Sequence, residues 1–175
     1  ASKVVDENGE PKVVYHGTGA DFTKFVAWES DRGYYDWELA HFGTREQAED
    51  VMRTAPGNKH IMELFLNIRK PYRISDQEDN DSWRYAAKQA AYGMFADQNG
   101  EKADGLVYLN MYEGKIPADS YAVWNPSQIK SATDNTGEFS DEDGDIRYRI
   151  SSDSETGIES LVERTFRTSG AFSFS

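Results

Sequence analysis

The chain has 175 residues, 38% hydrophobic and 13% aromatic with no cysteine, which suits one packed domain and excludes disulfides, thiolate metal sites and a thiol nucleophile. Its formal net charge of -12 argues against direct nucleic-acid binding, which needs basic surface; an acidic surface serves solubility or a basic partner. With no apolar run near 18 residues and no signal-peptide pattern, the chain is expected neither to span nor to target a membrane and to be cytoplasmic.

The first predicted element is a hairpin over residues 3–16, with Asn8-Gly9 turning between Lys3-Val-Val-Asp and Lys12-Val-Val-Tyr-His, because Asn-Gly between β-rich runs is the strongest short hairpin signal. The second strand of that hairpin stops at His16-Gly17-Thr18-Gly19. A strand ending at His beside Gly presents an imidazole at a sheet edge and lets a ligand approach the backbone. Asp21–Phe25 alternates briefly as a short edge strand, and residues 26–38 read as an ordered aromatic loop.

Leu39–Gly43 predicts a second short strand, and Thr44-Arg45-Glu46-Gln47 has the spacing of a capping box opening a helix through about Arg53. Pro56-Gly57 ends that helix, and His60–Ile68 is the strongest apolar strand. After an acidic turn over 75–81, Asp81 caps a helix over 82–97 with Trp83, Ala86, Ala87, Ala90, Ala91 and Met94 on one face. Gly105–Leu109 and Ser120–Trp124 are strands around a loop from Asn110 to Asp119, and Gln128–Ser131 is a last strand after the Asn125-Pro126 turn. Thr133–Asp145 reads as a polar linker. Thr156-Gly-Ile-Glu159 opens a further helix with Ile158, Leu161, Val162 and Phe166 on its face. The missing Met and the ending Gly170-Ala-Phe-Ser-Phe-Ser suggest a domain cut from a longer protein. Many short strands with a few inserted helices predict an α+β fold.

Each candidate residue also has an ordinary structural reading. His16 can serve a strand–turn junction, His41 can be packing at a buried strand end, and Glu113 on a loop can be a solvated carboxylate. His60 opens a core strand, and Gln128 and Lys130 are expected to satisfy backbone groups. The Asp141–Asp145 run lacks the spacing and closing Glu of an EF-hand and reads as solvated linker. Gly17-x-Gly19 is too little for a dinucleotide fingerprint without a parallel βαβ unit around it. Neither a Walker-type loop nor His-Glu-x-x-His occurs, so no metal is expected in the chemistry.

Four segments in order carry a resemblance: Tyr15-His16-Gly17-Thr18; Ala40-His41-Phe42-Gly43-Thr44 opening a helix; Asp104-Gly105-Leu-Val-Tyr108-x-Asn110; and Tyr121–Ser131. Together they resemble an ADP-ribosyltransferase domain of the type carried by polyvalent proteins of phages and mobile elements and by some bacterial effectors. The likeness covers about residues 3–149, with 150–175 left as a linker or helix leading into a further domain. It implies a split pair of small antiparallel sheets with inserted helices and an NAD cleft between them.

On this resemblance His16 would meet a ribose hydroxyl and the Gly17 backbone the nicotinamide carboxamide, with Thr18 on the same wall. The slot of a stacking Tyr is taken by His41, beside Phe42, a pairing of His also similar to RNA 2'-phosphotransferases; Tyr34 or Tyr35 could supply the ring. The strand position of the usual catalytic Glu is Ser120, next to Asp119, and the nearest Glu is Glu113, assigned here as the carboxylate that stabilises an oxocarbenium-like state. The Glu/Gln-x-Glu pattern of arginine acceptors is absent, since position 111 is Met. The expected activity is NAD-dependent transfer of ADP-ribose to a macromolecule, a protein, after delivery into a host or target cell, with NAD as substrate. The alternative is a non-catalytic acidic interaction module or DNA mimic with a degenerate cleft.

Overall fold

Val14, Leu64, Leu66 and Ile129 are each 3% exposed or less, and their burial joins three strands into one sheet. In this computed structural model, β1 (Val14–Thr18) and β9 (Ile129–Ser131) flank β5 (His60–Leu66), all antiparallel. The structure describes residues 2–19, 25, 28–29, 35–36, 41–54, 57–74, 82–134 and 142–147, with backbone alone at 28–29 and 35–36. A second sheet has the order β4-β8-β7-β6, from β4 (His41–Phe42), β6 (Pro71–Arg73), β7 (Gly105–Asn110) and β8 (Ala118–Ala122). A two-residue pair, β2 (Trp28–Glu29) with β3 (Tyr35–Asp36), stands apart from both.

The two main sheets meet at one residue pair. Tyr15 N–H donates to the Gly43 carbonyl at 2.9 Å, and Gly43 N–H donates to the Tyr15 carbonyl at 3.0 Å. Among the described residues this bridge is the one pairing on the edge of β1 away from β5.

Helix α1 (Arg45–Met52) begins at Thr44, whose side chain accepts from Gln47 N–H while the Gln47 side chain accepts from Thr44 N–H. The helix lies on the β1 face that carries Gly17: a Cβ there would stand 2.3 Å from the Ala48 carbonyl oxygen and 2.8 Å from Met52. The glycine is therefore demanded by helix–strand contact, not by a turn. Helix α2 (Ser82–Ala91) buries Trp83, Ala86 and Ala87 against Leu106, Tyr108 and Ala122 of the second sheet.

The α+β class is as expected, and several local expectations are corrected. The sheets are not both antiparallel, because β6 pairs with β7 in parallel. A parallel return needs a crossover of a dozen residues or more, commonly helical, and α2 supplies it. The hairpin over 3–16 reduces to a tight turn, with Asp6 Oδ1 accepting from Asn8 and Glu10 N–H, and a single bridge of Val5 to Pro11 made by Lys12 N–H to the Val4 carbonyl and Asp6 N–H to the Glu10 carbonyl. Residues 26–38, read as loop, contain the β2–β3 pair. Helix α2 stops at Ala91 because Gly93, at φ +80, turns the chain, which leaves Met94 67% exposed.

The linker is corrected as well. Within it the Asp143 carbonyl accepts from Lys130 Nζ at 2.8 Å, and directly after it Ile146 is 5% exposed in the core, its carbonyl accepting from Ser131 N–H. Gln128 Nε2 donates to the Asn67 and Asp104 carbonyls, so both side chains satisfy backbone groups as expected. The Asp21–Phe25 strand (Phe25 apart, which is buried in the core), the Asp81 cap, the helix over 156–166 and the segment 150–175 lie outside the described residues.

Candidate active site at the seam between the sheets

The ladder alternation on β1 aims the site. Tyr15 spends its N–H and carbonyl on Gly43, away from β5, and in an antiparallel pair residues two apart point their backbone groups the same way. Gly17 therefore turns its N–H and carbonyl to the edge of β1 away from β5, past the bridge. Its neighbour His16 packs edge-on to Phe25 at 5.2 Å between ring centroids and tilted to Phe42 at 5.5 Å. His16 Nδ1 lies 3.0 Å from the His41 carbonyl. A carbonyl only accepts, so Nδ1 carries the proton of this contact.

His41 leads into this bridge from the other sheet. Its ring lies 4.7 Å from Trp83, its Nδ1 is 3.1 Å from the Tyr108 hydroxyl, and its Nε2 is 3.5 Å from Glu113 Oε2. Burial first, then the nearby His16 and Arg84, pushes the His41 pKa from 6.5 down to about 3. Desolvation thus outweighs the attraction of the adjacent carboxylate, and the ring is neutral near pH 7. Tyr108 then donates its hydroxyl to Nδ1, while Nε2–H faces Glu113. The Tyr108 hydroxyl is itself held protonated, by burial first and by the Glu113 charge second.

Glu113 comes from the loop after β7. Asn110 Nδ2 donates to its Oε2 at 2.9 Å, and Glu113 N–H donates back to Asn110 Oδ1 at 3.2 Å. Burial raises the Glu113 pKa above its ordinary 4.5, against the Asn110 hydrogen bond and the Arg84 charge, which lower it. The loop is also tied to α1: Gly114, at φ +78, donates its N–H to Asp50 Oδ2 at 2.5 Å.

Asn110 Nδ2 also donates to Ser120 Oγ at 3.1 Å, and Ser120 Oγ–H donates to Gln47 Oε1 at 2.9 Å. Gln47 Nε2 donates to the Ala118 carbonyl, on the strand that carries Ser120. Asp119 alternates to the opposite face of β8. There its two oxygens accept from both terminal nitrogens of Arg73, at 3.0 and 2.5 Å.

His16, Gly17, His41, Glu113 and Ser120 thus line one small cavity of about 10 Å³, with Tyr15 and Gln47. The other expected residues are not gathered there. Phe42 is fully buried in the core, on the face of β4 away from His41. Thr18 sits at the end of β1 opposite His60, outside that lining. Tyr35 is described only as backbone in β3, and Tyr34 lies outside the described residues. Sequence reasoning missed Trp83, Tyr108, Gln47 and Arg84. The signals were present, since Tyr108-x-Asn110 and the Gln of the capping box had both been singled out, but nothing linear ties either to His41. Among the described residues no group of three or more His, Asp or Glu side chains is placed to hold a metal ion, and no helix is long and apolar enough to cross a membrane.

Two small sheets joined at one bridge, with a carboxylate and two imidazoles at the joint, define an α+β domain with a polar cluster at the seam. A family model described as ADP-ribosyltransferase in polyvalent proteins matches residues 6–139. The chain belongs to that family, and ADP-ribosyl transfer is its class of chemistry. No curated protein and no solved structure matches the chain.

Proposed function

We propose that the chain is an NAD-dependent ADP-ribosyltransferase in which Glu113 is the catalytic carboxylate and His16 with Gly17 receives the nicotinamide half of the substrate. The observation that carries this reading is the convergence of the Glu113 carboxylate on His41 beside His16 and Gly17 of β1. Gly17 offers one N–H donor and one carbonyl acceptor side by side, the complement of a flat carboxamide. The His16 ring can hydrogen-bond a ribose hydroxyl. The reaction breaks the bond between ribose C1' and the nicotinamide nitrogen, and nicotinamide leaves neutral. An acceptor nucleophile bonds to C1' and gives up its proton. Positive charge builds on the ribose in between, and a fixed carboxylate stabilises it.

His41 supports that carboxylate more than it frames a ring, because both of its nitrogens face protein groups. The Glu113 pKa, raised by burial, also suits a carboxyl that takes the acceptor proton. We assign a protein as acceptor, and a longer protein delivered into a target cell, where the domain works in the cytoplasm, as the setting. Residues 1–149 form this domain in our reading, and 150–175 lead onward.

The net charge of -12 favours a second reading, an acidic binding module with a cleft that no longer turns over NAD. Labelled NAD incubated with a cell lysate separates the two. Label on protein that is lost in Glu113→Ala supports transfer. Neither label transfer nor nicotinamide release sinks the enzyme reading.

A further inference from the structure

Ser120 stands where the resemblance calls for a glutamate, yet it is 1% exposed and bonded on both sides. Asn110 is equally buried and uses its whole amide: Nδ2 serves Glu113 and Ser120, and Oδ1 accepts from the N–H groups of Tyr112 and Glu113. A fully used amide has one orientation, and so does whatever it holds. Gln47 closes the chain of bonds, since its Oε1 takes both the Ser120 hydroxyl and Thr44 N–H.

We propose that Ser120 and Asn110 are positioning residues that lock the Glu113 carboxylate against His41, so that β8 supplies the anchor of the acid and not the acid itself. The inference rests on the reading of Glu113 as the catalytic carboxylate. A carboxylate on a strand is aimed by the strand. One on a loop needs another device, and the Gln47–Ser120–Asn110 chain runs from the first turn of α1 through β8 to that loop. Ser120→Ala removes the hydroxyl that orients Asn110. Asn110→Asp keeps the acceptor for the two loop N–H groups but loses the donor to Glu113.

The test measures nicotinamide release from NAD by the full chain across pH, for wild type, Ser120→Ala, Asn110→Asp and Glu113→Gln. Thermal unfolding confirms that each variant is folded, and Ser120→Ala, which removes one atom, stands in if Asn110→Asp fails that check. The expected result is a fall in kcat of about 10-fold or more for the two relay variants, with KM for NAD within about two-fold of wild type. Asn110→Asp also moves the acid limb of the kcat profile to higher pH, because Glu113 loses a donor and gains an anionic neighbour. A purely structural role moves stability but not that limb. Wild-type kcat and an unmoved limb in folded relay variants, with Glu113→Gln inactive, overturn the proposal and leave the Glu113 reading standing. Activity retained in Glu113→Gln, or no release by wild type, overturns both.

Discussion

His41 Nε2 and Glu113 Oε2 lie 3.5 Å apart, and burial moves both groups toward neutrality: the imidazole loses its proton more readily and the carboxyl holds its own more tightly. The pair is therefore not an ordinary salt bridge. It is a neutral donor facing a desolvated carboxylate, which leaves the carboxylate's negative charge available to a cation that develops nearby.

That state is costly to the folded protein. Glu113→Gln keeps the size of the side chain and an acceptor for Asn110 while removing the buried charge. Nicotinamide release should fall by about 100-fold or more, and unfolding free energy at pH 7 should rise by about 1 kcal/mol. The sign follows from linkage. A carboxyl whose folded pKa is raised binds its proton more tightly when folded, so stability falls as pH climbs from 4.5 through the folded value. The advantage of Gln is then largest at neutral pH and shrinks in acid, which urea unfolding at pH 7 and pH 4.5 would read.

His41 gives the opposite slope. Below its ordinary 6.5 the unfolded chain takes up a proton at this ring that the folded chain, at about 3, refuses. Stability should therefore fall as pH drops through that window, by at most 1.36 kcal/mol per unit and about 2 kcal/mol by pH 5, with Glu113 offsetting part of it. The drop between pH 7 and pH 5 should be clear in wild type and nearly absent in His41→Asn. Equal drops in both would remove His41 as the cause.

Asp119, next to Ser120 in sequence, should be dispensable for the chemistry. It faces the other side of β8 and pairs with Arg73 on an exposed rim. Asp119→Asn should leave nicotinamide release within about two-fold of wild type and cost no more than about 1 kcal/mol, the range of exposed ion pairs. Loss of release without loss of stability would contradict the face assignment.

The family match ends at residue 139, but the folded unit does not. Ile146 fills the core, and the Asp143 and Ile146 carbonyls accept from Lys130 and Ser131. A fragment ending at residue 139 should be about 3 kcal/mol less stable than one ending at 149, from one buried isoleucine and two lost hydrogen bonds. Matching denaturation midpoints for the two fragments would show that segment to be ornamental.

What the sequence made readable was local. Thr44 and Gln47 announce their helix because both halves of a capping box lie within one turn, and His60–Leu66 announces a core strand by its apolar run. His16 and Gly17 read as a strand end, but β1 runs through both to Thr18, paired with Met62 and Ile61 of β5, and the glycine answers to the Ala48 carbonyl. Pairings between distant segments were not readable. Nothing around Pro71 or Gly105 signals that their strands run parallel, and an Asp-rich run hides Ile146 as a core residue. In the site, Glu113 could be nominated from Tyr-x-Asn-x-x-Glu, but its partner His41 and the Ser120 relay depend on how β4 and β8 register.

Gln47 has a consequence for how the protein comes into being. One side chain both closes the first turn of α1 and receives the Ser120 hydroxyl. A nascent or partly unravelled chain that has not wound this turn lacks an aligned Glu113, however intact β1 is. With Glu113 as the proposed catalytic carboxylate, competence is thereby made conditional on completion of the helix.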